Sequence, residues 1–573
     1  MDNQQVLLSV RNLSVEFPGD DGIVHAVDDV GFDLYPGKTL GVVGESGSGK
    51  SVTALTVMRL LGTSKARIRS GEIWFRHPQR GMTDLLKLRD DEMQTIRGRY
   101  MGMVFQEPMT SLNPVKRCGP QVTESMIWHK HATRKSARKK VIELFREVRL
   151  PDPEKVFHAW PHELSGGQKQ RVMIAMAMAC NPLLLIADEP TTALDVTVQK
   201  SILDLFNSLI KSHQMAVLFI SHDLGVINTI ADFTAVMRQG KIVEQGTSAR
   251  IFKQPVEPYT KALVACRPSL NDRPAKLAVV EDFLGKENPV NNTAASERQT
   301  ITPGWHKKAN TEEPLLEVKN LKAFFVEKRT ITGKPLTYHK AVNDISFTLF
   351  KGETLGLVGE SGCGKTTLGR SIMRLLKPVA GKVVYKGVDI AGISSKKLRA
   401  LRPKFQIIFQ DPYASLTPGI SAGEAIMEPM RVHGILTNNK VRKKHILDIL
   451  EKVGLEEKHY YRYPHEFSGG QRQRVCIARA LAMNPEFIVC DESVSALDVS
   501  VQAQVLNLLN DLKESFDLTY LFISHDLSVV KYMSDRVMVM HEGELVELND
   551  ADQLYANPAN AYTKKLIDAI PSF

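Results

Sequence analysis

Apolar residues gather in short runs, and the runs recur at matched distances along the chain. "KTLGVVG" (38–44) and "ETLGLVG" (353–359) are strand-sized. Each leads through a glycine-rich turn into a stretch with helical spacing, "KSVTALTVMRLLG" (50–62) and "KTTLGRSIMRLLK" (365–377). "LLLIADE" (183–189) and "FIVCDE" (487–492) are apolar runs that end in two acids. "AVLFISH" (216–222) and "TYLFISH" (519–525) are apolar runs that end in histidine. This pattern predicts short buried strands interleaved with helices, an α/β chain. No run approaches the roughly 18 apolar residues of a membrane span.

The recurrence is a duplication. "HELSGGQKQRV" (162–172) returns as "HEFSGGQRQRV" (465–475), "ADEPTTALDV" (187–196) as "CDESVSALDV" (490–499), and "PYTKALVACRP" (258–268) as "AYTKKLIDAIP" (561–571). From Ser165 onward the copies are 303 positions apart, but Lys50 and Lys365 are separated by 315. The first copy therefore holds extra residues after its glycine turn, expected in the polar stretch 76–98. A repeat this long exceeds solenoid periods of about 20–50 residues, so the units are whole domains. The expected division is 1–268, an irregular linker over 269–313 rich in Asn, Thr, Pro and charge, and 314–573.

Composition narrows the class without deciding it. The chain has 573 residues, 43% hydrophobic and 24% charged, as expected for a soluble globular protein. Its net charge of +10 is a mild excess at this length, and no basic tract argues for nucleic acid. "MDNQQ" at the N-terminus lacks a charged-then-apolar export signal, so a cytosolic chain is expected. Cys118, Cys180, Cys266, Cys363, Cys476 and Cys490 show no C-x-x-C pair and read as reduced, mostly core thiols.

The glycine turns carry the chemistry. Gly44, Glu45, Ser46, Gly47, Ser48, Gly49, Lys50 and Ser51, followed by Val52, match G-x-x-x-x-G-K-[ST]. So do Gly359, Glu360, Ser361, Gly362, Cys363, Gly364, Lys365 and Thr366, followed by Thr367. Glycines let backbone N–H groups converge on phosphate oxygens, and the helix N-terminus adds its positive dipole end. Lys50 and Lys365 would reach the β/γ-phosphates of a nucleotide, with Ser51 and Thr366 on Mg²⁺. Asp188 and Asp491, at the ends of apolar strands, would hold Mg²⁺ through water, and Glu189 and Glu492 would polarise the attacking water. The competing reading is a capping acid at a strand end. Gln106 in "MVFQEP" and Gln410 in "IIFQDP" could bind Mg²⁺ or the lytic water. His222 and His525 each follow their glutamate by 33 residues, which favours a γ-phosphate contact over a structural histidine. Phe17 in "LSVEF" and Phe325 in "LKAFF" could stack on adenine, worth about 1–3 kcal/mol, or could be core aromatics. Ser165, Gly166, Gly167 and Gln168, and likewise Ser468, Gly469, Gly470 and Gln471, open a basic helix and offer a second anion-binding terminus per domain.

Together these residues resemble the ATP-binding-cassette ATPases, over both halves and excluding the linker. The resemblance implies two P-loop cassettes in tandem. Each would have a mostly parallel RecA-like sheet, an antiparallel β subdomain and a helical signature subdomain. It also implies an intramolecular cassette pair with two composite sites. Lys50, Gln106, Glu189 and His222 would be completed by Ser468 to Gln471, and Lys365, Gln410, Glu492 and His525 by Ser165 to Gln168. Ser493 stands where the first copy has Pro190. "FQEPMTSLNPV" (105–115), "FQDPYASLTP" (409–418) and the YT-containing tails are similar to the dipeptide/oligopeptide importer subfamily. "IMEPMRVHGIL" (426–436) and "YPHEFSGGQRQRVCIARALAMNP" (463–485) look closest to its fused, glutathione-type members, although linker and tail depart from that pattern. Some relatives carry a cysteine cluster after the first cassette. Only Cys266 lies there, so no iron–sulfur site is implied.

The implied function is that of an ATP hydrolase and translocase, with ATP and Mg²⁺ as ligands. It would serve an importer built with two multi-span permeases and a solute-binding protein, held by the permeases at the cytoplasmic face of the inner membrane. Helices near 115–160 and 420–462 would meet the permeases. The chain itself would touch neither cargo nor nucleic acid. The rival is a soluble tandem-cassette ATPase acting on the ribosome or nucleic acid. Such a protein would carry a long charged helical linker, where this chain has a Pro/Asn-broken one. A DNA-repair cassette would need zinc-type cysteine pairs or an inserted coiled coil.

Overall fold

The computed structural model describes residues 5–19, 22–62, 66–106, 111–192, 194–270, 272–284, 310–329, 335–495 and 497–571. They form two compact units, one built chiefly from residues up to Val264 and the other from Ala265–Ile570.

The first unit contains two sheets. The larger runs in the order Lys241–Thr247, Phe233–Arg238, Thr39–Val43, Ala216–Ile220, Leu184–Asp188, Met101–Val104. Every neighbouring pair is parallel except the first, which is antiparallel. Thr39–Val43, Leu184–Asp188 and Ala216–Ile220 are buried at every position. Helices cover both faces of such a sheet, so its strands read as continuous apolar runs rather than alternating ones. The smaller sheet is antiparallel and orders Gly22–Leu34, Leu8–Gly19, Arg67–His77 and Gly81–Asp84. Between Gln106 and Ser165 lie the helices Cys118–Trp128, Arg134–Glu147 and Pro153–His158, which pack on one another.

The second unit repeats this plan. Its larger sheet orders Phe405–Ile408, Phe487–Asp491, Thr519–Ile523, Thr354–Val358, Arg536–His541 and Glu544–Asp550. Its antiparallel sheet orders Pro335–Lys351, Asn310–Arg329, Ala380–Tyr385 and Val388–Asp389. Both units thus have the expected mostly parallel core, antiparallel sheet and helical layer.

The extra residues of the first copy lie only partly in 76–98. Phe75 and Tyr385 hold equivalent places opposite Leu8 and Leu316. Phe75 already follows Lys50 by 25 positions where Tyr385 follows Lys365 by 20, so part of the insertion precedes the strand Arg67–His77.

Of the stretch 269–313, residues 285–309 lie outside the described residues. The part before them is not a bare connector. Arg273 donates through Nε to the carbonyl of Tyr532 (3.1 Å) and through its second nitrogen to that of Ser534. These carbonyls lie at the C-terminal end of the helix Leu527–Met533, where a cation is favoured. Leu277 and Asn507 exchange two hydrogen bonds, Leu277 N–H to Oδ1 (2.9 Å) and Nδ2 to Leu277 O (2.8 Å). Lys276 pairs with Asp511 at 2.9 Å, and Leu277 and Val280 are buried. Val280–Leu284 is a short helix, and the next described strand begins at Asn310. Two apolar anchors, a half-buried arginine and paired hydrogen bonds dock a segment whose composition reads as a linker.

Candidate functional site

In each unit the residues singled out in the sequence follow the carboxyl ends of the parallel strands. Thr39–Val43 leads into Gly44, Leu184–Asp188 into Glu189, Ala216–Ile220 into His222, and Met101–Val104 into Gln106. Sheets of this kind bind ligands at that edge, where the strand order switches direction of progress. The topology therefore brings four distant segments to one place.

Helix Lys50–Val57 starts at Gly49, which is left-handed with φ 98°. A Cβ there would lie 2.3 Å from the carbonyl oxygen of Ala26, so glycine is required by both torsion and space. Gly364 is the counterpart, φ 106°, with Ala341 O at 1.9 Å from a virtual Cβ. The Lys50 ammonium is buried and donates to Gly44 O (2.7 Å) and Glu45 O (2.8 Å). Lys365 does the same to Gly359 O (2.7 Å) and Glu360 O (3.0 Å).

The acids meet the loop. The Ser51 hydroxyl donates to Asp188 Oδ1 at 2.9 Å, and the Thr366 hydroxyl to Asp491 Oδ1 at 2.9 Å. Gln106 Nε2 donates to Glu189 Oε2 (3.1 Å) and Gln410 Nε2 to Glu492 Oε2 (2.8 Å). His222 Nδ1 is 3.1 Å from Glu189 Oε2, and His525 Nδ1 is 3.4 Å from Glu492 Oε2. Glu189 and Glu492 sit at φ 48° and 49°, strained for a non-glycine residue, and each N–H is held by the next strand, on Ile220 O and Ile523 O.

Burial pushes Asp188 and Asp491 above their ordinary carboxylate values, against the Ser51 and Thr366 hydrogen bonds. Glu189 moves the other way. Burial raises it, but the His222 hydrogen bond and charge, the Thr192 hydroxyl and Lys50 together outweigh burial. At Glu492 burial is likewise outweighed, by His525 and Lys365. Two adjacent carboxylates thus have their proton affinities pushed apart, a pattern that assigns different jobs to neighbouring acids.

The signature segments lie elsewhere in each unit. Ser165 caps the helix Gly166–Met178 through a reciprocal pair, Gln168 N to Ser165 Oγ (3.3 Å) and Ser165 N to Gln168 Oε1 (3.0 Å). Ser468 and Gln471 repeat it at the helix Gly469–Leu481. These helices pack against the helical layer. A Cβ on Gly167 would meet Val198 at 2.8 Å, and on Gly470 would meet Val501 at 2.3 Å, which accounts for the second glycine of the motif. Phe17 is half-buried against the core, whereas Phe325 is 44% exposed, so the two matched aromatics have different surroundings.

Sequence reasoning missed three features. The capping box was legible as S-x-x-Q. Thr192 donates to Glu189 Oε2 at 2.9 Å, while its counterpart Ser495 donates to the backbone oxygen of Glu492 at 2.8 Å; only the fold reveals that difference. Tyr562, in the repeated tail, accepts a hydrogen bond from the N–H of Glu360 at 3.2 Å. Among the described residues no group of three His, Cys, Asp or Glu is placed to hold a metal ion by itself. All six cysteines are free and buried. No described helix is long and apolar enough to cross a membrane.

Comparison with known proteins follows the same division. The sequence pattern of the ABC transporter family matches residues 27–192 and again 342–495. That of the oligopeptide/dipeptide transporter C-terminal region matches 243–285 and 546–573. The glutathione import ATP-binding protein GsiA of Escherichia coli O157:H7 is 46% identical over 99% of this chain and 89% of its own length. The protein of that name from Shigella dysenteriae serotype 1 (strain Sd197) is also 46% identical over the same shares. That from Escherichia coli (strain K12) is 45% identical, again over 99% and 89%.

Proposed function

We propose, from the premise that this chain belongs to the ABC transporter family as an ATP-binding, ATP-hydrolysing subunit, that it powers uptake of a peptide-like solute, glutathione or a short oligopeptide, through separate permeases. The observation that carries the solute class is the oligopeptide/dipeptide transporter region following each cassette, together with the full-length similarity to glutathione import subunits. The rival ribosome- or nucleic-acid-directed reading is not favoured, because the similarity runs over 99% of the chain and includes both tails.

Each unit supplies the parts for hydrolysis. The phosphate loops Gly44–Ser51 and Gly359–Thr366, with Val52 and Thr367 after them, present backbone N–H groups to the triphosphate. Lys50 and Lys365 exchange their loop carbonyls for phosphate oxygens. Ser51, Asp188 and Gln106, and likewise Thr366, Asp491 and Gln410, offer hydroxyl, carboxylate and amide oxygens. That donor set suits Mg²⁺, and the 2.9 Å contact between Ser51 and Asp188 brings two of the donors together. When bound, the cation supplies charge neutralisation between the phosphates. Glu189 and Glu492, kept ionised, accept a proton from the attacking water. His222 and His525 hold those carboxylates and face the γ-phosphate side of the site. Gln106 and Gln410 link each glutamate to the segment leading into the helical layer, so nucleotide state at the acid can be felt there. Phe325, and with less exposure Phe17, would stack on adenine.

In this reading the chain is peripheral, held at the cytoplasmic face by two multi-span permeases, with a solute-binding protein delivering the cargo. The decisive experiment is reconstitution with the permeases and binding protein in proteoliposomes. ATP-dependent accumulation of glutathione or of a short peptide, and stimulation of ATPase activity by the loaded binding protein, are expected. ATPase activity indifferent to permeases and to every peptide-like solute would overturn the proposal.

A further inference from the structure

The tail of the second unit reaches back to its phosphate loop. The strand Glu544–Asp550 carries Glu547, whose carboxylate accepts the backbone N–H groups of Ala559 (2.9 Å) and Asn560 (3.0 Å). This clamp fixes the start of the helix Ala561–Ile567, and Asn560 caps that helix by accepting from Tyr562 N at 2.8 Å. The Tyr562 ring lies against His541, centroids 4.1 Å apart, at the end of the strand beside the loop. Its hydroxyl accepts the N–H of Glu360 at 3.2 Å.

That N–H belongs to the peptide group joining Gly359 and Glu360. The carbonyl of the same planar group accepts the Lys365 ammonium at 2.7 Å. One rigid plane is therefore held at its two ends, by the tail tyrosine and by the phosphate-binding lysine. We infer that Tyr562 is a positioning residue for the second nucleotide site: it sets the Gly359–Glu360 peptide plane and through it the loop and Lys365, with Glu547 holding the tail in place. Burial also raises the hydroxyl above the ordinary tyrosine range.

The first unit repeats the clamp and carries a tyrosine at the matching position. Glu244, 8% exposed, accepts Val256 N–H (3.0 Å) and Glu257 N–H (3.2 Å). Tyr259, 2% exposed, stands 303 positions before Tyr562, with the Arg238 guanidinium 5.0 Å over its ring where the second unit has His541. Two copies have thus kept the same clamp and the same ring beside the loop while exchanging its stacking partner.

The inference rests on reading the loop of Lys365 as a triphosphate cradle, and the test separates the two. In the full-length chain carrying Lys50→Ala, so that the second loop reports, affinity for a fluorescent ATP analogue is measured for Lys365→Ala, Tyr562→Phe and Glu547→Gln, with thermal midpoints alongside. Tyr562→Phe keeps the ring and loses the acceptor. It is expected to weaken nucleotide binding about three- to tenfold, the worth of one hydrogen bond, with an unchanged thermal midpoint and with KM rising more than kcat falls. Glu547→Gln should weaken binding in the same direction. Normal affinity in Tyr562→Phe while Lys365→Ala loses binding would overturn the inference and leave the cradle standing. Normal affinity in Lys365→Ala would overturn both. Loss of affinity in Tyr562→Phe that merely tracks a fall in thermal midpoint would make the tyrosine structural and also overturn it.

Discussion

Nδ1 of His222 lies 3.1 Å from Oε2 of Glu189. The histidine is a main reason why this carboxylate titrates below its ordinary value although burial alone would raise it. The sign of a pH effect follows. A carboxylate with depressed pKa is ionised, and able to act as a base, down to lower pH than usual. In His222→Ala with His525→Ala, burial acts on both glutamates with less opposition, and their pKa values rise. The acid limb of residual ATPase activity should therefore move to higher pH, while the neutral-pH plateau keeps its shape. An acid limb that stays in place in a pH–rate profile would show that the histidines do not tune the acids.

Replacing Glu189 and Glu492 together by Gln keeps size and one acceptor oxygen but removes the proposed proton acceptor. ATP binding should persist, and steady-state turnover should fall by roughly 10²–10⁴-fold. Equilibrium nucleotide titration and phosphate release, measured on the same sample, check the two halves of this expectation.

One hydroxyl distinguishes the surroundings of the two glutamates. Thr192 donates to the carboxylate of Glu189, whereas Ser495 donates to the main chain of Glu492. A hydrogen bond to a charged group is worth about 1.5–3 kcal/mol. Thr192→Ala should accordingly slow hydrolysis at the first site, read in a Lys365→Ala background, whereas Ser495→Ala, read in a Lys50→Ala background, should change it little. Equal effects would mean that the hydroxyl contact to the carboxylate carries no weight.

Gly364→Ala forces a Cβ to within 1.9 Å of Ala341 O at φ 106°. Strain of that kind costs about 1–3 kcal/mol per residue. The second unit should melt earlier by calorimetry and lose nucleotide affinity, with Gly49→Ala doing the same in the first. Gly362, at φ 83° with nothing within 4 Å of a virtual Cβ, should tolerate alanine with a smaller loss, because only the torsion is strained.

What the sequence made legible is what chemistry ties to local order. Lys50 must follow a strand and open a helix, Asp188 and Glu189 must end one, and each requirement leaves letters at fixed spacing. Duplication then doubles every signal. What stayed hidden depends on partners distant in sequence. The role of Tyr562 is defined by Glu360, 202 residues away, and nothing in "AYTKKL" points there. The contrast between Thr192 and Ser495 lies in which oxygen each hydroxyl reaches, the carboxylate of Glu189 or the backbone carbonyl of Glu492. Phe17 and Phe325 occupy the same motif frame yet differ in exposure, because burial belongs to the neighbours of a residue rather than to its letter. Composition misdirects at Arg273, since a polar, proline-containing stretch reads as a tether until the carbonyls of Tyr532 and Ser534 are found to receive it.

That docking alters what it means to cut this chain in two. Residues 265–284 belong structurally to the second unit although they precede the stretch 285–309. A nick within 285–309 is thus a nick inside the second unit. The N-terminal fragment would leave carrying Arg273, Leu277 and Val280, a segment whose partners Asn507, Tyr532 and Ser534 lie on the other fragment. A two-gene version of this protein, split at that stretch, would inherit a built-in fragment-complementation tag. A split placed instead at Val264 would fall inside the helix Pro258–Ala265 and would leave Arg273, Leu277 and Val280 on the same product as Asn507 and Tyr532.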